Sequence, residues 1–305
     1  MGSPVRLGLN LPYVEGQLDG RTPRWRDMLA MARTAEAVGF DAVWVSDHVG
    51  FADGAGGWNG AWESWTVLTA IAARTERVEI GTYVSAAPFR NPALLAKMAE
   101  TLDEVSGGRL ILGLGAGWNE AEFEAYDFPF ADRFDRFEDT LRIVTALLRT
   151  GLSGHEGRAV HARGARLEPR GPRPGGLPVM IGATGPRMLR LTAELADHWN
   201  GGLRTVEELV PILAEVDEAC RAAGREPATL TRSAEALIRT LPDDEDAPPE
   251  ERELRGGADE LADALVRYAD LGLAHIQVQL RPNSVDGVRE ARPVIEALRD
   301  RRRGR

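Results

Sequence analysis

No stretch of the chain constrains the fold more than residues 77–120, which read RVEIGTYV, SAAPFR, NPALLAKMAETLDEVSGG and RLILGLGAGWNE. Val78, Ile80, Thr82 and Val84 form a β-branched run that suits a buried strand. Asn91 stands where a helix needs an N-cap, and Pro92 follows at the first helical position, where its missing N–H costs nothing. Leu94, Leu95, Met98, Leu102 and Val105 recur at helical spacing, and Gly107-Gly108 ends the run. Residues 110–114 make a second apolar strand that passes directly into Gly113, Gly115 and Gly117. Two strands joined through a helix lie parallel, so their C-terminal ends share one rim, and α/β folds bind their ligands at that rim.

The same alternation continues along the chain. Strands are expected over 5–11, 41–45, 78–84, 110–114, 178–182, 197–200, 230–240 and 274–280. Helices are expected over 24–38, 62–74, 92–106, 132–148, 186–195, 206–223, 258–271 and 285–299; the fourth carries Phe134, Phe137, Leu141, Val144 and Leu148 on one face. Eight of each define an α/β fold, a (β/α)8 TIM barrel with insertions in its rim loops, filling residues 1–305 as a single domain. Three segments break the rhythm. Residues 50–60 read as a Gly-rich loop long enough to cover the rim, 151–176 as a loop or short hairpin, and 242–257 as an acidic, Pro-rich mobile loop. The arginine-rich 299–305 reads as a solvated tail.

Composition narrows the function. A net charge of −10 argues against a nucleic-acid surface, and the single cysteine, Cys220, excludes an intramolecular disulfide framework and reads as a packed thiol. No apolar run reaches the roughly 18–20 residues that span a membrane, and the opening Met1-Gly2-Ser3 starts neither a signal peptide nor a myristoylation motif. A cytoplasmic protein is expected.

Chemistry concentrates at the expected rim. The second strand ends in WVSDHV, placing Asp47 and His48 there; histidine exchanges protons near neutral pH, so His48 suits a general acid or base. No pair among the five histidines has metal-ligand spacing, so no metal is expected. GLGAGW departs from the dinucleotide fingerprint at Trp118 and follows the fourth strand rather than the first. Its glycines still leave room for a large planar ligand, as an alternative to a tight turn. In PVMIGATGPRMLRL a strand turns through Gly182, Ala183, Thr184 and Gly185 into a helix opened by Pro186; such a start attracts phosphate, with Arg187 or Arg190 adding a charged contact, and an ordinary βα turn reads equally well.

These runs resemble the luciferase-like flavin and deazaflavin oxidoreductases. The resemblance is carried by GFDAVWVSDHV (39–49), 78–130 with its GLGAGWNE, RFDRFEDTLRIVTALL (133–148), PVMIGATGPRMLRLTAELADHWNG (178–201) and GADELADALVRYADLGLAHIQVQL (257–280). It implies one barrel, a homodimer, and coenzyme F420 in the rim cleft, with FMN as the alternative. It implies hydride transfer between F420 and a small organic substrate, the alternative being an FMN-dependent monooxygenase. On that basis His48 matches the proton donor or acceptor beside the redox ring, and Asp47 a residue at the ring's pyrimidine edge. Tyr83-Val84 matches a bulge where some relatives have a non-prolyl cis peptide. Thr82, Tyr83, Val84, Gly115, Ala116, Gly117 and Asn119 are the expected ring contacts, and Gly182–Gly185 with Arg187 the phosphate contacts. The sugar-phosphate dehydrogenases of the family carry a catalytic Glu where this chain has Trp118, which argues against that activity. Phe51, Trp58 and Trp118 then suit an apolar or aromatic substrate, with Phe51 and Trp58 reading equally well as packing residues. A barrel that binds cofactor without catalysis is the non-enzymatic alternative. A Schiff-base lyase is disfavoured because the one lysine, Lys97, falls in a helix.

Overall fold

Eight parallel strands close into a barrel in the computed structural model, which describes residues 5–240 and 251–303. They are β1 (Arg6–Asn10), β2 (Ala42–Val45), β3 (Glu79–Thr82), β4 (Leu110–Gly115), β5 (Val179–Gly182), β6 (His198–Leu203), β7 (Thr231–Arg239) and β8 (His275–Arg281). Each pairs in parallel with its neighbours. β8 closes on β1 through Arg6↔His275 to Leu9↔Val278, and β4 joins β5 through Val179↔Leu112 to Ile181↔Leu114. Helices α1 (Trp25–Val38), α2 (Ser64–Ala72), α3 (Pro92–Ser106), α4 (Glu120–Ala125), α5 (Arg133–Thr150), α6 (Pro186–Leu195), α7 (Val206–Ala222), α8 (Ala258–Asp270), α9 (Val285–Glu290) and α10 (Arg292–Arg303) fill the crossovers. The TIM-barrel expectation therefore holds.

Local signals account for many of the boundaries. The Asn91 side chain accepts from the N–H groups of Ala93 and Leu94, with Pro92 next in line. Thr205 and Glu208 form a reciprocal capping box at the start of α7. Cys220 packs in α7 as a buried free thiol.

Several expectations change. Residues 50–60 form an antiparallel hairpin, Gly50–Ala52 against Trp58–Gly60, anchored where the Gly60 N–H donates to Glu15 Oε2 at 2.8 Å. The excursion 151–176 contains a second small hairpin, Leu152–Ser153 with Ala165–Arg166. Of the acidic segment, 242–250 lies outside the described residues, but Glu253–Leu254 adds in parallel beside β7 and Glu253 is gripped by Arg239 at 2.9 Å. Arg299–Arg303 is helix rather than solvated tail, because Leu298 is buried and Arg301 reaches Asp259 and Asp263 of α8; residues 304–305 lie outside the described residues, as do the opening residues 1–4. On α3 the inward face is Leu95, Ala96, Ala99 and Leu102, leaving Leu94 and Val105 exposed; on α5, Phe134 is exposed beneath the Arg133 guanidinium. On α3 the buried stripe is shifted from the one the large hydrophobic residues suggest, because Ala96 and Ala99 pack inward, whereas on α5 Phe137, Leu141, Val144 and Leu148 are buried as expected.

Candidate active site at the barrel mouth

Trp44 plugs the barrel interior. Its ring is fully buried, and the strands on either side carry Gly8 and Gly81, where an added Cβ would lie about 2.1 and 2.0 Å from ring atoms. Above this plug, toward the C-terminal strand ends, the interior becomes polar. The Tyr83 hydroxyl donates to Asn200 Oδ1 at 3.1 Å, and Asn200 Nδ2 donates to Ser233 and Gln277, both at 2.9 Å. Glu235, 6% exposed, accepts from Asn10 Nδ2 at 2.5 Å and Gln279 Nε2 at 2.7 Å. Burial raises its carboxyl above the usual range, the neutral amides opposing this only in part. Burial also raises the Tyr83 hydroxyl, with the nearby Glu235 charge adding to it. A cleft of about 620 Å3 opens at this rim between Asn10, Ser46, Asn59 and Gln279.

The apolar half of the mouth is built on Val84. The Tyr83–Val84 peptide is cis. The Val84 side chain stands against β4 and β5: a Cβ added at Gly115 would come within 2.8 Å of it, and one at Gly182 within 3.4 Å. Gly113 faces the Thr82 carbonyl oxygen at 2.1 Å from such a Cβ. Thr82 is wholly engaged, its hydroxyl donating to the Gly113 carbonyl at 2.8 Å and accepting the Gly113 N–H at 2.9 Å. Gly117, with φ +79°, has the Phe123 ring beside it. The protein's own atoms therefore come up against these three glycines, for which the sequence allows either a planar ligand or a tight turn. Ala116 is buried between them, and Asn119 Nδ2 donates to the Gly50 carbonyl at 3.1 Å, tying this turn to the hairpin.

His48 leaves β2 at the rim with its imidazole between aromatic rings. Phe51 lies 4.6 Å away and Trp118 5.5 Å, centroid to centroid. Its Nδ1 is 2.8 Å from Oε1 of Glu122, a carboxylate 1% exposed whose Oε2 accepts the Val49 N–H at 3.0 Å. Asp47 turns away into a buried ion pair. The Ser64 hydroxyl donates to its Oδ1 at 2.6 Å, and Arg90 grips both oxygens while also reaching Glu63 at 2.8 Å. Trp118 is 67% exposed at the lip, and Trp58 lies over Gly50 on the far strand of the hairpin, 6.5 Å from Tyr126.

At the β5–α6 turn, Gly185 is the N-cap residue of α6 and no side chain caps the helix. Thr184 and Gly185 are exposed, Ala183 half-buried, and a Cβ on Gly185 would meet nothing within 4 Å. The turn is thus an open cradle at a helix start, and its residues fit the phosphate of a cofactor. Arg187 does not point its charge there: it is held by Asp135 at 2.6 Å and Glu138 at 3.0 Å. Burial works to raise the Glu138 carboxyl, but hydrogen bonds from Arg142, Arg187 and Arg190 outweigh it and bring it to about 2.

The structure therefore brings His48, Phe51 and Trp118 together, groups Thr82, Tyr83, Val84, Gly115 and Gly182 around one bulge, and sets Asp47, Trp58 and Arg187 on other partners. His198 begins β6 at the opposite end of the barrel; burial, then the nearby Arg6 charge, lowers its imidazole to about 4. Glu122, Arg90 and Glu235 were not singled out. Glu122 looks like an ordinary acidic residue in a helix's first turn, and only its contact across 74 residues of chain marks it. Among the described residues, no three His, Cys, Asp or Glu side chains gather as a metal site, and no helix is long and apolar enough to cross a membrane. A larger cavity of about 890 Å3 lies at the N-terminal strand ends, where Arg225 and Arg232 are bound to Thr229, Ala196 and Asp217.

Comparison with known proteins agrees with this geometry. The family model described as luciferase-like monooxygenase matches residues 5–300. A 5,10-methylenetetrahydromethanopterin reductase of Archaeoglobus fulgidus is 33% identical over 165 residues, 54% of this chain and 46% of that enzyme. An F420-dependent glucose-6-phosphate dehydrogenase of Amycolatopsis mediterranei is 33% identical over 206 residues, 64% of this chain and 60% of that enzyme. The matched region thus spans about half to three fifths of these two relatives. An F420-dependent secondary alcohol dehydrogenase, solved with an F420-acetone adduct, superposes with a TM-score of 0.82 at 20% identity, covering 98% of this chain and 100% of that one. The chain belongs to the luciferase-like monooxygenase family.

Proposed function

We propose that this member of the family is an oxidoreductase that moves a hydride between coenzyme F420 and a small organic substrate, His48 exchanging the accompanying proton. The observation that carries the reading is the imidazole at the rim, held by a buried carboxylate and bracketed by two aromatic rings. Two F420-dependent dehydrogenases among the proteins it resembles support the choice of coenzyme. When bound, F420 supplies the hydride chemistry; the protein holds, orients and shields. Val84, backed by Gly115 and Gly182, offers an apolar surface on which a planar ring can rest, and the open turn at 182–185 offers N–H groups to a phosphate. Phe51 and Trp118 keep water from His48 and leave space for an apolar substrate. Asp47 keeps the rim in shape through Arg90 rather than meeting the ring directly.

The family's monooxygenases favour a second reading, with FMN in the same cleft. Parallel titrations of the purified protein with F420 and FMN separate the two. The expected result is at least a tenfold preference for F420, about 1.4 kcal/mol. Equal or tighter FMN binding overturns the assignment.

A further inference from the structure

The Glu122 carboxylate has two neighbours, and their chemistry fixes more than the position of His48. The Val49 N–H can only donate, and it occupies Oε2. An ionised carboxylate can only accept. The ring nitrogen facing Oε1 at 2.8 Å must therefore carry its hydrogen, and Nδ1–H donates to Glu122. A neutral imidazole so arranged has its lone pair on Nε2, the ring nitrogen that does not face Glu122. Phe51 and Trp118 limit how far the ring can turn.

We propose that Glu122 is a positioning residue that holds His48 in the Nδ1–H tautomer, so that Nε2 is the atom that takes up or releases the proton. The proton moves between Nε2 and the substrate oxygen. This rests on the proposed role of His48, but the tautomer is a property of the protein without cofactor and is tested separately.

Glu122→Gln makes the test sharp. The amide is the same shape, but it has one acceptor oxygen and one NH2 group. The Val49 N–H claims the oxygen, which turns the NH2 toward Nδ1. The ring must then accept at Nδ1 and carry its hydrogen on Nε2. Nitrogen-15 NMR of the His48 ring, at a pH where the ring is neutral, is expected to show Nδ1–H in the full-length wild-type protein and Nε2–H in the variant, with circular dichroism unchanged. Turnover with F420 is expected to fall roughly 10²–10⁴-fold, the range for a base set in the wrong tautomer or lost. An Nε2–H ring in the wild-type protein overturns the proposal even if the variant fails to fold. So does a variant that switches tautomer yet turns over at the wild-type rate. Loss of the His48 role itself shows differently: His48→Ala would then be active, while the wild-type tautomer stands as measured.

Discussion

The two glycine-rich stretches at the rim, 113–117 running out of β4 and 182–185 running out of β5, look alike as sequence but owe their glycines to different causes. In the first, each glycine is required by the protein itself. Gly113 faces a backbone carbonyl, Gly115 faces Val84, and Gly117 combines a left-handed φ of +79° with the Phe123 ring. In the second, Gly182 is in ordinary contact with Val84, whereas Gly185 has an extended backbone, φ −84° and ψ 153°, and open space where a side chain would go. Nothing in the protein requires that last glycine. A glycine that packing does not require, at an uncapped helix start, is where the proposed phosphate contact is to be tested.

Substitutions can break this contrast. The largest effect is expected at Gly113→Ala, since the new methyl would press on the Thr82 carbonyl, which belongs to the next strand and cannot yield as a flexible side chain would. A loss of about 3 kcal/mol or more in urea unfolding is expected, at the upper end for overpacking. A variant as stable as the wild type would mean the mouth is looser than described. Gly185→Val reverses the pattern. Stability should fall by no more than about 1 kcal/mol, the cost of a poorer N-cap, while F420 affinity falls at least tenfold, about 1.4 kcal/mol. A folded variant with unchanged affinity would make the second turn as purely structural as the first.

The same contrast explains what the sequence could and could not reveal. Strand and helix alternation, the Asn91 cap and the rim position of His48 depend on residues close in the chain, and they were legible. The reason for the 113–117 glycines was not, because Val84 meets Gly115 through the cis bulge at the end of β3. Glu122 was hidden for the same reason: its partner lies 74 residues away. Arg187 stands at the helix start where a phosphate contact was expected, yet Asp135 and Glu138 of α5 hold it, and a local motif carries no sign of them. The hairpin at 50–60 and the helix through 299–303 were misread because Gly-rich and Arg-rich stretches look solvated until a tertiary partner, Glu15 or α8, is placed beside them.

The central claim is that His48 exchanges a proton with substrate beside a bound F420. The most direct measurement is turnover of His48→Ala, alongside its F420 affinity, on a small ketone or alcohol identified by screening both redox forms of the cofactor. The account predicts affinity within a few fold of the wild type and turnover down roughly 10²–10⁴-fold. Near wild-type turnover would contradict it and remove His48 from the mechanism.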